Sequence, residues 1–212
     1  MGERARTISA CVTRIPFIPA AVPILVKQPP TGPDWLHEIK WDGWRCQIIK
    51  DQDGIRVHTR KGNDWAEQLH GIVEAAHAFK ARSFAIDGEL IGENEGYDFY
   101  TLPAAIRRGQ VVVVAFDLLF LGGKDLRRFP IARRKEALKK LVTGSEVIQE
   151  AETFNDPIAL LRAAEEHGLE GVVSKRKDLP YRSGRCSHWQ KVKIAAWRAA
   201  NADRGGRFKR ER

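Results

Sequence analysis

The chain has 212 residues, of which 43% are hydrophobic and 30% charged, and its formal net charge is +9. That length is enough to bury a real core in one large domain or two small ones. No apolar run approaches the roughly 20 residues needed to span a bilayer, so the composition argues against a membrane protein and for a cytoplasmic one.

The basic surplus points to an anionic partner, nucleic acid first among them, with charge kept for solubility as the alternative. Cys11, Cys46 and Cys186 are odd in number and far apart, which argues against a disulfide framework or zinc site and fits a reducing compartment. The six histidines show no metal-binding spacing, and no structural metal is expected. The N-terminus, MGERARTISACVTRIPF, lacks the apolar stretch of a secretory signal; its arginines, Ser and Thr leave only a weak transit-peptide reading.

In chain order, residues 1–15 read as a flexible N-terminal extension, 16–193 as one folded domain and 194–212 as a basic tail. Residues 15–34 hold six of the ten prolines and read as an extended lead-in segment. WLHEIKW, WRCQIIK and GIRVHTR then read as strands; Ile55, Val57 and Thr59 alternate with Arg56, His58 and Arg60, and Asp53-Gly54 signals a hairpin. A helix follows, with Asp64 as N-cap, Glu67 completing a capping box, and Trp65, Leu69, Ile72, Ala76 and Phe79 on one face. SFAIDGELIG and VVVVAFDLLFL read as strands. Residues 131–142 read as a helix with Ile131, Leu138 and Leu141 inward, and Pro157 opens another that ends near Gly168. EGVVSKR and SHWQKVK close as strands. Residues 194–212 carry six basic residues against two acidic ones and a Gly-Gly pair, the pattern of a mobile arm. The fold expected is α+β with mainly antiparallel sheets.

Three strands each carry a charged stripe: Glu38 with Lys40, Asp87 with Glu89, and Trp189 with Lys191 and Lys193. These could be solvated outer faces. If they converge, they describe chemistry. A lysine attacks only as the neutral amine, and burial beside Arg45, Lys191 and Lys193 would favour that form. The same cations would neutralise a phosphate oxyanion. Glu89 and Glu170 could hold Mg²⁺ together with substrate phosphates. A lysine nucleophile, cations and metal-binding acids together describe nucleotidyl transfer through a lysine phosphoramidate. No P-loop and no dinucleotide-binding glycine pattern is present.

KWDGWR, residues 40–45, resembles the K-x-D-G-x-R signature of covalent nucleotidyltransferases: DNA ligases, RNA ligases and capping enzymes. TRKG (59–62), DGEL (87–90), AFDLL (115–119), EGVVSK (170–175) and WQKVK (189–193) resemble the family's further motifs and occur in the family's order. HEIKWDGWR, YRSGR and WQKVK most resemble the ligase domain of bacterial ATP-dependent end-joining DNA ligases. The resemblance implies two mainly antiparallel sheets flanked by helices, with a nucleotide cleft between them across residues 16–193. It implies that Lys40 attacks the ATP α-phosphate and carries AMP, which passes to a DNA 5′-phosphate before the 3′-hydroxyl seals the nick. Backbone near Glu38 and Ile39 would read adenine, and Phe116 would stack on it. Arg45 would contact ribose or phosphate, Glu89 ribose or metal, Glu170 metal, and Lys191 and Lys193 the α-phosphate. Arg60 would contact nucleotide or DNA. For Arg60 and Lys175 a plain surface charge is the alternative, and Asp42 shapes the turn after Lys40. The cofactors implied are ATP and Mg²⁺ or Mn²⁺. The partner implied is nicked or broken double-stranded DNA, in bacterial cytoplasm at the nucleoid.

Family ligases continue into an OB-fold domain, and the 19 residues after Lys193 are too few for that five-stranded barrel. A natural minimal ligase, a separate protein or end-joining factor supplying the domain, and a piece of a longer chain all stay open. So do an RNA ligase or capping-type enzyme and a non-catalytic DNA-binding remnant.

Overall fold

The structure, a computed structural model, describes residues 14–93 and 100–202. Most of the N-terminal extension and the RGGRFKRER end of the basic tail lie outside the described residues. The chain runs β1 (Ala21–Leu25), β2 (Trp35–Lys40), β3 (Trp44–Asp51), β4 (Gly54–Thr59), α1 (His70–Ala78), β5 (Phe84–Gly92) and α2 (Leu102–Arg108). It continues through β6 (Val111–Leu121), β7 (Lys124–Asp125), α3 (Ile131–Val142), β8 (Ile148–Glu150), α4 (Pro157–Glu166), β9 (Gly171–Arg176), β10 (Gly184–Lys193) and α5 (Ala195–Ala200). No helix among the described residues is long and apolar enough to cross a membrane.

Two mainly antiparallel sheets form, as expected. One has the order β1-β10-β9-β2, with β1 parallel to β10. The other runs β4-β3-β5-β6-β7, with β8 lying parallel to β6. The alternation of β3 shows how the layers are filled. Ile48 points to a core that also holds Ile72 and Ala76 of α1 and Leu138 of α3. Its neighbour Ile49 points into a second core with Leu36, Cys186 and Trp189 of the four-stranded sheet. Each of the isoleucine and leucine side chains among these contributes about 1.5–3 kcal/mol by leaving water.

Helix α3 matches the expected span, but its inner face differs. Ile131, Leu138 and Val142 are buried, Leu141 only partly, and Arg134 and Lys135 are buried with them. Arg134 forms two bonds to Asp117, of 2.7 and 2.8 Å, so β6 grips the helix by an ion pair as well as by its apolar face. Asp156 caps α4 by accepting from the amides of Ile158 and Ala159, with Pro157 in the first turn.

Two expectations are corrected, for Asp64 and for the tail, while the extended lead-in is borne out and gains a strand. Asp64 does not cap a long helix: its carboxylate accepts from the Val57 amide at 3.0 Å as well as from Ala66. That tertiary bond ties the segment to β4, so Ala66–Gln68 form a 3₁₀ turn and α1 starts only at His70. The proline-rich lead-in contains a strand, β1, which tolerates Pro23 because it lies at a sheet edge. The start of the basic tail is the helix α5, anchored by Ile194, which is buried against Ile39, Trp41, Ala164 and Leu169. Helix α2 and the short strands β7 and β8 had no counterpart in the sequence reading.

Asp117→Ala should leave the Arg134 guanidinium buried without its partner. Urea denaturation should show a loss of about 3–5 kcal/mol; a loss below about 1 kcal/mol would show that the pair does not anchor α3.

Candidate active site

The hexamer at residues 40–45 bridges the two sheets. Lys40 ends β2 in one sheet, Trp44 opens β3 in the other, and Trp41–Gly43 form the crossing. Gly43 is required by close approach: a Cβ there would stand 2.1 Å from the Leu90 carbonyl oxygen. Gly171, which follows Glu170, is in the same position, since a Cβ would lie 2.0 Å from the Val192 oxygen and its φ is 152°. Glycine therefore lets β9 and β10 close tightly beside Lys40.

The crossing leaves a cavity of about 580 Å³ between the sheets, within the range of small-molecule sites. The charged stripes are its walls and not solvated outer faces. Glu38, Lys40, Lys175 and Lys191 come from the four-stranded sheet; Arg45, Glu89 and Phe116 come from the other. Ile39 and Glu170 also line it, and Arg60 stands exposed among its lining residues. Lys193 joins through Glu170. The candidate site residues thus lie at or beside one cavity, Lys193 without lining it.

The amine of Lys40 donates to Glu170 Oε2 at 2.7 Å, and Lys193 takes the other oxygen, Oε1, at 2.6 Å. The lysine meets Glu170, the carboxylate expected to hold metal, rather than the cations expected to favour its neutral form. The effect of crowded cations falls on Lys191, whose pKa is lowered by burial and then by Lys40 and Lys193. Arg45 is clamped by Asp87 through bonds of 2.9 and 2.6 Å and also donates to the Ala21 carbonyl. Burial opposes its charge, yet the Asp87 carboxylate outweighs that and raises its pKa. The Tyr181 hydroxyl donates to the same Asp87 at 3.0 Å and accepts from the Ala21 amide.

At the aromatic end, Phe116 meets Trp189 edge-on at 6.0 Å. Lys175 lies 4.5 Å from the Phe116 ring centre and 4.3 Å from that of Trp189. Lys175 is buried and bonded to Glu38 Oε2 at 2.5 Å, so it is no surface charge. Burial lowers its pKa, and Glu38 opposes that. The side chain of Glu38, for which the sequence suggested only a backbone role, also accepts from Lys135 at 2.7 Å.

Glu89 stands out among the acids. Desolvation pushes its pKa up to about 7 despite Lys40 and Arg45, with Glu170 adding repulsion.

The sequence reading assigned no site role to three contributors, of which Asp87 was noted only as part of a charged stripe. Thr59 lines the cavity with a buried Oγ1 that has no protein partner; its place in TRKG is its signal. Asp87 shares a strand with Glu89, but its bond to Arg45 needed the fold. Lys135 gave one signal, a basic residue on the apolar stripe of α3.

Residues 25–193 match the ATP dependent DNA ligase domain family. The chain is 36% identical over 177 residues to the multifunctional non-homologous end joining protein LigD of Pseudomonas aeruginosa, a match covering 80% of this chain and 21% of that protein. It is 33% identical over 176 residues to a probable DNA ligase of Dictyoglomus turgidum, covering 74% of this chain and 30% of that one. The chain therefore spans a third or less of these relatives. A mycobacterial DNA ligase D structure complexed with ATP and MES is similar at a TM-score of 0.66 and 27% identity, covering 81% of this chain and 60% of that one.

The raised proton affinity of Glu89 has a testable sign. Between the ordinary carboxylate range and about pH 7 the folded state binds the proton that the unfolded chain has lost, so stability from this group is full at low pH and lost as pH rises to about 7. Glu89→Gln should remove that loss. Urea midpoints from about pH 4 to pH 8 should show the variant gaining on the parent protein as pH rises; parallel profiles would contradict the shift.

Proposed function

The chain belongs to the ATP dependent DNA ligase domain family, and on that premise we propose that its inter-sheet cavity takes ATP and that Lys40 becomes adenylated. One observation carries the reading: the Lys40 amine stands in the cavity wall, bonded to a buried carboxylate and flanked by Lys191 and Lys193, with Phe116 in the same cavity.

In the first step the Lys40 amine attacks the α-phosphorus. An N–P bond forms, the bond to the bridging oxygen of the β-phosphate breaks, and pyrophosphate leaves. Glu170, 2.7 Å from the amine, takes its proton. Lys191 and Lys193 offset charge developing on the α-phosphate oxygens. Phe116 offers a face to the base, Glu38 and Ile39 border it, and the buried Thr59 hydroxyl suits a ribose oxygen. Arg45 acts here as a rigid part of the wall, since Asp87 and Ala21 hold its guanidinium. AMP then passes to a DNA 5′-phosphate, and the 3′-hydroxyl displaces it. Each step is an in-line displacement, so positioning and charge carry the catalysis.

Glu89 and Glu170 are carboxylates standing together in the cavity wall, a donor set that suits Mg²⁺ or Mn²⁺. A metal bound there supplies charge neutralisation at the phosphates. Both oxygens of Glu170 engage lysines, so Glu89 is the more available ligand.

The substrate proposed is nicked or broken double-stranded DNA in repair, in the cytoplasm at the nucleoid. A separate protein or further domain supplies an OB-fold or end-joining contacts. Exposed Arg60 and Lys61 at the cavity suit the DNA backbone.

Intact-protein mass after incubation with ATP and Mg²⁺ should rise by one AMP, reversed by pyrophosphate, while GTP and NAD should leave it unchanged. Lys40→Ala should abolish the gain and leave salt-sensitive DNA binding largely intact. Equal labelling of the variant would remove Lys40 as nucleophile. A gain with GTP would favour a capping-type enzyme. No gain from folded protein that carries no AMP as purified would favour a binding role or dependence on a further domain.

A further inference from the structure

The mechanism leaves two buried lysines beside Glu38 unused, Lys175 and Lys135. Lys135 lies on α3, 5% exposed, and enters from outside the motif strands. Its Nζ donates to Glu38 Oε1 at 2.7 Å and to the Ala151 carbonyl at 2.8 Å, with Glu150 at 3.6 Å. Lys175 holds the other oxygen of Glu38 from the opposite side. The Glu38 carboxylate is thus fixed by one lysine on each oxygen, at the end of the cavity where Phe116 and Trp189 meet. The helix carrying Lys135 cannot easily shift, because the adjacent Arg134 is bonded twice to Asp117.

A burial cost must be met for each of these charges, and packing alone does not call for a lysine here. The arrangement does something a hydrophobic residue could not. Paired with two ammonium groups, Glu38 presents only hydrogen-bond acceptors, and each oxygen keeps lone-pair capacity beyond its lysine. An acceptor edge beside an aromatic face accepts from an exocyclic amine and repels a carbonyl oxygen. It therefore discriminates a 6-amino purine from a 6-oxo purine, and such discrimination is strong because the wrong base leaves buried polar groups unpaired.

We infer that Lys135 is a positioning residue for base selection: by fixing one oxygen of Glu38 against α3, it aims the carboxylate at the 6-amino group of the base and sets the preference for ATP over GTP. This rests on the reading of the cavity as an ATP site. Lys135 touches no substrate and acts only through Glu38.

The test is nucleotide affinity measured by calorimetry in a Lys40→Ala background, where no covalent step intervenes. Lys135→Met removes the charge and keeps the length. It should weaken ATP about tenfold and GTP by about twofold or less, so that the ATP-to-GTP preference falls by roughly a factor of five or more. Lys135→Arg should retain most of the preference. Lys135→Gln serves as the neutral variant if the methionine protein does not fold. On protein unaltered at Lys135, inosine triphosphate, which replaces the 6-amino group with an oxygen, should bind at least about tenfold more weakly than ATP. Equal weakening of ATP and GTP in the neutral variants would show that Lys135 only supports the wall, and an unchanged preference would overturn the inference outright. Failure of both nucleotides to bind the Lys135-containing protein would instead overturn the ATP reading itself, a distinct result.

Discussion

The site depends on charges that are buried between two sheets and therefore have to be paired. Arg45 is the pivot. It lies on β3, pairs with Asp87 of the neighbouring β5, and reaches across to the Ala21 carbonyl of β1 in the other sheet. Tyr181 closes the ring by bonding both Asp87 and the Ala21 amide. An isolated buried pair would be costly, and the two added hydrogen-bond partners are what offset its desolvation. Remove this staple and the sheets lose the fixed spacing that makes the cavity.

Within the cavity the same constraint produces a simple charge arithmetic. Glu170 is shared by Lys40 and Lys193, and Glu38 by Lys135 and Lys175. The Glu170 cluster keeps one positive charge in excess, the Glu38 cluster is balanced once Glu150 beside Lys135 is counted, and Lys191 adds a further cation near Lys40 and Lys193. Such a cavity is poised for a polyanion. A triphosphate entering it would meet cations already held in place, so little reorganisation is needed when charge moves in the transition state.

The division of labour between the sheets follows from the crossing at Trp41–Gly43. The four-stranded sheet carries Lys40, Lys175, Lys191 and Lys193; the other carries Arg45, Glu89 and Phe116. A family whose motifs are spread along most of the chain can have one compact site only because β2, β9 and β10 are neighbours although far apart in sequence. The close backbone approach at Gly43 and Gly171 is the local requirement that this assembly places on the motifs.

The sequence by itself determined which charged residue types line the cavity, because they sit in short motifs whose order was readable along the strands. It also determined most strands and the spans of α3 and α4, since period-two alternation, helical spacing of apolar residues and proline at a first helical turn act locally. Tertiary structure decided the rest. Asp64 was taken from its expected helix cap by a bond to the Val57 amide, and the tail was folded into α5 by the burial of Ile194. Lys40 met Glu170, Glu38 was clamped between two lysines, and Lys135 of α3 was drawn into the core. These are pairings between residues as much as 137 positions apart. No local pattern encodes them, because a charged residue shows in sequence only that it needs a partner, and the packing of the sheets chooses which one.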